Sequence, residues 1–346
     1  MQVKNISRLV LLLLAALSVQ SCTSTFELDE INASQKLVVY CMPVAGRDTT
    51  IIQLSKSIPV NMAGIPPQGL PDANIDFTVN GKSYPAQWNQ EKTSNLPAQC
   101  YYVVTPIREG DTVSITADAD GLPTVSSATQ IPAPPIVDRV ELSYKHSYES
   151  GDLMQTSITF TDTPSADNYY GVRIIYRRVK QERYLSSLTG EWVYATDISD
   201  PSPLTADLTD EPLLNNQIGL DETLELDYDY CYNLYIWDDK RLDSPTYTLR
   251  LNSYYFPSSI EESPEFYQKR YDEYKIYFYH LTPEFYRYLK SVNDIYNNEL
   301  GKNGLAPIRS HYSNVEGGIG LVGGCQLLET DWIQNPDETT PSVWQP

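Results

Sequence analysis

The sequence predicts a mainly β fold of two tandem immunoglobulin/fibronectin-like sandwiches, followed by a small C-terminal α+β extension. Three observations support this prediction. Short runs rich in β-branched and aromatic residues recur between residues 36 and 256, separated by Gly, Pro, Asn and Asp turns. The Pro-rich segment Ile131-Pro-Ala-Pro-Pro-Ile136 divides these runs into two sets, because such a segment is stiff and extended. A single stretch with helical periodicity follows, within residues 280–300.

The N-terminus has the pattern of a bacterial export signal. Lys4 and Arg8 precede the apolar run Leu9–Leu17, which is too short to span a bilayer, since a spanning helix needs about 20 apolar residues. The residues Ser-Val-Gln-Ser then lead to Cys22 and resemble a lipobox, the motif whose cysteine is lipidated and begins the mature chain. We therefore expect Cys22 to carry acyl chains, which hold a protein at a membrane surface. A plain secretory signal with a chance cysteine is the alternative.

The first sandwich is predicted from short strand patterns and their turns. Asn80-Gly81 is typical of a type I′ hairpin turn, and Asp120-Gly121 marks a second turn. The predicted strands are Leu37–Cys41, Thr50–Leu54, Ile75–Val79, Tyr101–Thr105 and Thr112–Ala117.

The second sandwich is predicted from a longer set of similar runs. Gln155–Thr161 alternates polar and apolar side chains, as a half-buried strand does. Residues 198–220 are rich in Pro, Asp and Asn, which indicates a loop. The predicted strands are Val137–Ser143, Thr156–Phe160, Tyr169–Arg178, Glu191–Tyr194, Thr223–Tyr228, Cys231–Trp237 and Thr246–Leu251.

The C-terminal helix has signals at both ends. Thr282 is the predicted N-cap, Pro283 the first helical residue and Gly301 the stop. Apolar residues then recur on one face, at Phe285, Leu289, Val292, Ile295 and Tyr296. The predicted boundaries are 1–21 for a signal peptide, 22–35 for a lipidated tether, 36–130 for the first sandwich, 131–136 for a linker, 137–256 for the second sandwich and 257–346 for the C-terminal segment.

The glycine-rich stretch near the C-terminus matches a dinucleotide-binding fingerprint by its letters, Gly318-x-Gly320-x-x-Gly323. That fingerprint has meaning only between a strand and a helix. No helical pattern follows here, so the glycines instead predict a strand or loop packed closely against other backbone.

The charge of the chain excludes some partners. Its formal net charge is −20, and removal of Lys4 and Arg8 with the signal makes the mature chain more acidic. Nucleic-acid binding by phosphate neutralisation needs clustered cations, so no nucleic-acid partner is expected. Basic partners are compatible with this charge, although acidity of this kind also serves solubility alone.

Four cysteines remain in the mature chain after Cys22, and an even number in an exported protein permits disulfides. We expect the pairs Cys41–Cys100 and Cys231–Cys325, each within one half of the chain. Free, buried thiols that behave as small apolar side chains remain the alternative.

Tyrosine is unusually frequent, with 27 residues against 7 phenylalanines. A tyrosine ring with its hydroxyl suits a recognition surface, but half-buried strand positions also favour tyrosine. The predicted ligand or partner contacts are Tyr228, Tyr230, Tyr235, Trp237, Tyr254 and Tyr255. The carboxylates predicted to bind a cation, with a solvated turn as the alternative, are Asp238, Asp239 and Asp243. No catalytic residue and no cofactor are predicted.

The chain resembles a family of Bacteroidota outer-membrane lipoproteins grouped as domain of unknown function 4249. The segments that carry the resemblance, in order, are Lys36-Leu-Val-Val-Tyr40, Pro71-Asp-Ala-Asn-Ile-Asp-Phe77, Ile131-Pro-Ala-Pro-Pro-Ile136, Leu281-Thr-Pro-Glu-Phe-Tyr-Arg-Tyr-Leu289 and Tyr312-Ser-Asn-Val-Glu-Gly-Gly-Ile-Gly320. The resemblance implies an envelope lipoprotein beside a TonB-dependent receptor. It implies no catalytic residues, because the family has none assigned.

We therefore expect a non-enzymatic accessory of a TonB-dependent receptor, aiding nutrient capture or transporter assembly. Its partners would be that β-barrel receptor, the lipid bilayer through the acyl anchor, and a glycan or peptide ligand. Glu27, Asp29 and Glu30 in the tether resemble the signal for placement on the cell surface, so the expected location is the outer membrane, facing outward. The alternatives are a stand-alone glycan-binding or adhesive module and a hydrolase that uses paired carboxylates.

Overall fold

The computed structural model describes residues 35–58, 66–119, 121–148, 151–163, 167–214, 228–242, 244–298 and 309–346. Lys36–Ser57 and Pro66–Pro346 form one compact unit, which contains two hydrophobic cores. Cys22, Asp243 and Gly301, and most of the predicted strand Thr223–Tyr228, lie outside the described residues.

The first core lies between two sheets, whose strands within residues 37–130 are antiparallel to their neighbours. The strands are β1 (Leu37–Cys41), β2 (Thr49–Lys56), β3 (Asn74–Val79), β4 (Lys82–Pro85), β5 (Gln87–Asn89), β6 (Cys100–Val104), β7 (Thr112–Asp118) and β8 (Val125–Gln130). One sheet contains β1-β2-β6-β5 in that order, and the other contains β4-β3-β7-β8. All five predicted strands of this half are present. Alternate residues of these strands point into the core.

The hairpin between β3 and β4 turns at Asn80-Gly81, as predicted. Asn80 has φ 51° and Gly81 has φ 76°, the left-handed values that a type I′ turn requires. The Asn80 side chain also accepts a hydrogen bond from the backbone N–H of Thr112 at 2.9 Å, which ties the turn to β7.

The second core is larger and contains most of the buried aromatic rings. The elements that follow β8 in the chain, all of which except β18 belong to this half, are β9 (Ile136–Ser147), β10 (Gly151–Thr161), β11 (Tyr169–Leu185), β12 (Trp192–Ile198), β13 (Ser202–Pro203), β14 (Tyr235–Asp238), β15 (Thr246–Tyr254), β16 (Ser259–Ser263), β17 (Phe266–Leu281), α1 (Pro283–Tyr296), β18 (Ile319–Val322), β19 (Cys325–Glu329), β20 (Ile333–Gln334) and β21 (Ser342–Trp344). One sheet has the order β15-β10-β9-β21, and the facing sheet is built on β12-β11-β17-β16.

The strands β11 and β17 pair over nearly their whole length, from Tyr169↔Leu281 to Tyr184↔Phe266. The part of this pair formed by residues 169–176 of β11 and 274–281 of β17 covers the second core, where β14, β19 and β20 pair beside it. The other part, residues 177–185 of β11 and 266–273 of β17, extends past the core and pairs with β12 and β16, most of whose residues are exposed. We call this four-stranded extension, residues 177–198 and 259–273, the projecting sheet.

The residues after 256 join both sandwiches, whereas the sequence predicted a separate C-terminal extension. β17 is a central strand of the second sandwich, and β21 pairs with β9. β18 instead pairs in parallel with β1 of the first sandwich, with Val39 opposite Gly320. The sequence boundary was drawn too early, because the half-buried residues that alternate with the buried Tyr274, Ile276 and Phe278 are mostly tyrosines, which hide the apolar alternation of a strand.

The helix α1 begins as predicted and ends earlier than the sequence suggested. The Thr282 side chain accepts a hydrogen bond from the Phe285 N–H at 3.3 Å, and Pro283 is the first helical residue. The helix ends at Tyr296, with Asn297 as its C-cap.

The glycine-rich stretch is a closely packed strand, as predicted. At Gly320, φ is 128° and an added Cβ would lie 1.9 Å from the carbonyl oxygen of Val39. Only glycine therefore permits β18 to lie this close to β1.

The four described cysteines are free thiols, so the predicted disulfides are absent. Cys41 lies opposite Ile52, which lies opposite Tyr101, so two strand spacings, about 10 Å, separate Cys41 from Tyr101. Cys100, next along β6, points to the other side of the sheet. A disulfide needs Cα atoms within about 7 Å.

The second predicted pair is also separated. The N–H of Cys231 donates to the Asn293 side chain at 3.0 Å, in the third turn of α1. Cys325 instead pairs with Leu281, just before α1 begins. The helix rises about 15 Å between its first residue and Asn293, which is too far for a bond between the two sulfurs.

Candidate functional site

A cavity of about 320 Å³ lies between β14, the 3-10 turn that follows it and α1. We call it the aromatic cavity. Its volume is at the lower end of the range of about 300–1,000 Å³ typical of small-molecule pockets. The lining residues are Leu213, Tyr228, Tyr230, Ile236, Trp237, Asp238, Lys240, Arg241, Tyr286 and Lys290.

Three of the six aromatic contacts predicted from the sequence line this cavity. Trp237 is 3% exposed and packs on Phe160 and Phe278, with ring centroids 5.6 and 5.7 Å apart. Its indole Nε1 is buried and has no hydrogen-bond partner in the described part of the chain. The rings of Tyr228 and Tyr230 meet edge to face at 5.1 Å. These side chains give the cavity a rigid aromatic wall.

The hydroxyls of this wall are fixed by neighbouring groups. The Tyr230 hydroxyl donates to the carbonyl of Leu214 at 2.9 Å. The Tyr228 hydroxyl lies 3.5 Å from a carboxylate oxygen of Asp294. Burial is the main reason that the pKa of Tyr228 is raised, and burial likewise raises the pKa of Tyr286. Both phenols therefore remain protonated donors at neutral pH.

The other predicted aromatic contacts lie elsewhere. Tyr235 is buried behind the cavity wall, where its hydroxyl accepts from the Ala206 N–H at 2.6 Å. Tyr255 is also buried and donates to the Pro336 carbonyl at 3.1 Å. Tyr254 is 72% exposed and stacks on Phe256. Tyr235 and Tyr255 are thus core residues rather than contact residues, since both belong to the second hydrophobic core.

Asp238 and Asp239, the two described carboxylates of the predicted cation site, bond to different partners and do not form a cation site together. Asp238 accepts hydrogen bonds from the Lys240 N–H and from the Tyr286 hydroxyl, at the edge of the cavity. Asp239 instead accepts from the Asn168 N–H at 2.7 Å. Among the described residues, no group of three or more potential ligands could hold a metal ion.

The projecting sheet presents a second candidate surface, whose residues are not among the contacts predicted from the sequence. On one face, the guanidinium carbon of Arg183 lies 5.0 Å from the ring centre of Trp192 and 5.6 Å from that of Tyr267. Tyr194 pairs with Arg183 across the strands and is 72% exposed. We call this surface, with the apolar residues Leu185, Ile198 and Ile260 that share it, the aromatic face.

A shallow groove of about 430 Å³ runs along the aromatic face. Tyr194 and Tyr267 line it together with the polar side chains of Gln181, Arg183 and Glu262. Two exposed apolar side chains share the face with this groove, since Ile260 is 61% and Ile198 is 47% exposed. The signal that could have located this face is the alternation in Trp192–Ile198, which places Trp192, Tyr194 and Ile198 on one side of the strand.

These features define a mainly β protein with two sandwiches, a projecting sheet and an aromatic cavity. A family model described as Domain of unknown function (DUF4249) matches residues 23–330, and the chain belongs to this family. No curated protein matches the chain. Within the described ranges, every helix is too short or too polar to cross a membrane.

Proposed function

We propose that the protein is a non-enzymatic lipoprotein accessory of an outer-membrane β-barrel receptor of the TonB-dependent type. The observation that carries this proposal is the aromatic face of the projecting sheet. Solvent-exposed apolar patches with a polar rim mark interaction sites. The lipobox at Cys22 and the family's implied setting beside such receptors support the choice of partner.

The chemistry of the aromatic face favours a protein partner. Trp, Tyr and Arg are the residues most enriched among those that dominate binding energy at interfaces, and Trp192, Tyr194 and Arg183 lie together here. The Arg183 guanidinium is already held against the Trp192 ring. Ordering these side chains on binding therefore costs little entropy.

Capture from membranes tests the proposed partner. The full chain is tagged, expressed in its native cells and purified from solubilised membranes, and the captured proteins are identified by mass spectrometry. The Trp192→Ala, Tyr194→Ala double variant is expected to recover at least about tenfold less receptor than the unmodified chain, since two central contacts are lost.

Tyr148→Ala is the matched control, because Tyr148 is 100% exposed and lies outside the projecting sheet. It is expected to recover as much receptor as the unmodified chain. If the unmodified chain recovers no β-barrel receptor, or if the double variant and Tyr148→Ala behave alike, the proposal is wrong.

The proposed location has its own test. A Cys22→Ala variant is expected to leave the membrane fraction, and mass analysis of the natural chain is expected to find acyl groups on Cys22. Protease treatment of intact cells tests surface exposure, since a chain facing outward is cleaved and one facing the periplasm is protected. Membrane retention of the variant would contradict lipid anchoring.

A second candidate function is glycan binding by a stand-alone surface module. The groove on the aromatic face supports it, because Tyr194 and Tyr267 can stack on sugar rings beside the polar side chains of Gln181 and Glu262. A glycan array probed with the full chain and with Tyr194→Ala separates the candidates. Glycan binding that is lost in this variant, without receptor capture, would favour the second candidate.

A further inference from the structure

The aromatic cavity is cationic, although the chain as a whole is strongly acidic. Lys240, Arg241 and Lys290 line it together with a single carboxylate, that of Asp238. The formal net charge of the chain is −20. The local excess of cations therefore attracts anions to the aromatic cavity, even though the chain as a whole is acidic.

The carboxylates near these cations leave the Lys240 ammonium unpaired. Asp238 is occupied by the Tyr286 hydroxyl and by the backbone N–H of Lys240. Asp294 pairs with Lys290 at 3.2 Å. The Lys240 side chain forms no ion pair within the described ranges, so its charge is available to a ligand.

The wall next to these cations is aromatic and positioned in advance. Tyr286 stacks on Tyr169 with ring centroids 4.7 Å apart, and Tyr228 packs on Tyr230. The Arg241 guanidinium is held in place, since its Nη1 donates to the carbonyl of Leu213 at 3.3 Å. A rigid aromatic wall beside positioned cations suits a ligand with both a ring and an anionic group.

We propose that the aromatic cavity binds a small carboxylate ligand whose acid group is attached to a ring. The carboxylate lies at Lys240, and the ring lies against the tyrosines of the wall. The ring can be a sugar, as in a uronic acid, or an aromatic ring, as in a benzoate. This site lies at the opposite end of β11 from Arg183, about 45 Å along the strand, and does not depend on receptor docking.

Calorimetric titration of the full chain tests the site with defined probes. Glucuronate is compared with methyl glucoside, and benzoate with benzyl alcohol, so that each acid has a neutral counterpart. At least one acid is expected to bind saturably and more tightly than its counterpart, and the acid that does so identifies the ring class. Lys240→Gln is expected to weaken that binding about tenfold, because a charge-assisted contact is lost.

Lys92→Gln is the matched control, since Lys92 is exposed and belongs to the first sandwich. It is expected to bind as the unmodified chain does. Thermal unfolding of both variants confirms that they fold. If neither acid binds, if the neutral counterpart binds equally well, or if Lys240→Gln binds unchanged, the proposal is overturned, whatever the outcome of receptor capture.

Discussion

Arg178 and Asp272 form a two-point ion pair across β11 and β17, at the place where the projecting sheet leaves the second core. Arg178 Nε lies 2.8 Å from Oδ1 of Asp272, and Nη2 lies 3.1 Å from Oδ2. Asp272 is 2% exposed, and its N–H donates to the Asn335 side chain at 3.3 Å. The pair therefore joins β11 to β17 at the base of the projecting sheet, and Asn335 anchors the same position of β17 to the body of the second sandwich.

We predict that Arg178→Ala lowers the free energy of unfolding by about 2–3 kcal/mol, because it leaves the buried Asp272 carboxylate without its cation. The figure is below that of a fully buried pair, since half of the Arg178 side chain is exposed. Urea unfolding measures the change. Arg139→Ala is the control, because the Arg139–Glu141 pair is solvent-exposed and its loss costs less than about 1 kcal/mol. Equal effects of the two substitutions would contradict the anchoring role.

We predict that Gly320→Ala destabilises the chain by at least about 3 kcal/mol, since an added Cβ collides with the backbone of Val39 and separates β18 from β1. Gly110→Ala is the matched control. Gly110 also has a positive φ, of 76°, but an added Cβ there meets no atom within 4 Å. Its cost is limited to about 1–2 kcal/mol of backbone strain. Chemical denaturation measures the free energy of unfolding of both variants. If β18 packs closely on β1, Gly320→Ala loses at least about 1 kcal/mol more than Gly110→Ala.

The burial of the cysteines predicts the order in which their thiols react. Burial raises the pKa of Cys41 to about 12 and that of Cys325 to about 12, so both are almost entirely protonated at pH 8. Cys231 is only half-buried and is expected to react first with a thiol reagent in the native protein. Labelling followed by peptide mapping checks this order, and full labelling is expected after unfolding without reductant. Recovery of a Cys41–Cys100 or Cys231–Cys325 peptide would contradict the free thiols.

The features that could be predicted from sequence are local. The Asn80-Gly81 turn and the Thr282-Pro283 helix start depend on the backbone preferences of adjacent residues, and both are present. The pairing of β18 with β1 joins residues far apart in sequence, so no local sequence pattern predicts it.

The candidate site was predictable only in part. The cluster Tyr228, Tyr230 and Trp237 was recognised by composition, but Tyr286 and Lys290 join it through the packing of α1 beside β14. Which tyrosines are buried depends on the register of each strand, and register follows from tertiary pairing. Tyr235 and Tyr255 were therefore expected at a contact surface and lie in the core.

Site-specific crosslinking tests the central claim most directly. A photoreactive phenylalanine analogue replaces Tyr194 in the full chain, and intact native cells are irradiated. Docking through the aromatic face predicts a covalent product between this position and an outer-membrane β-barrel receptor, with no such product from the analogue at Tyr148. A receptor crosslink from Tyr148 but not from Tyr194, or no receptor crosslink from either position, would contradict the account.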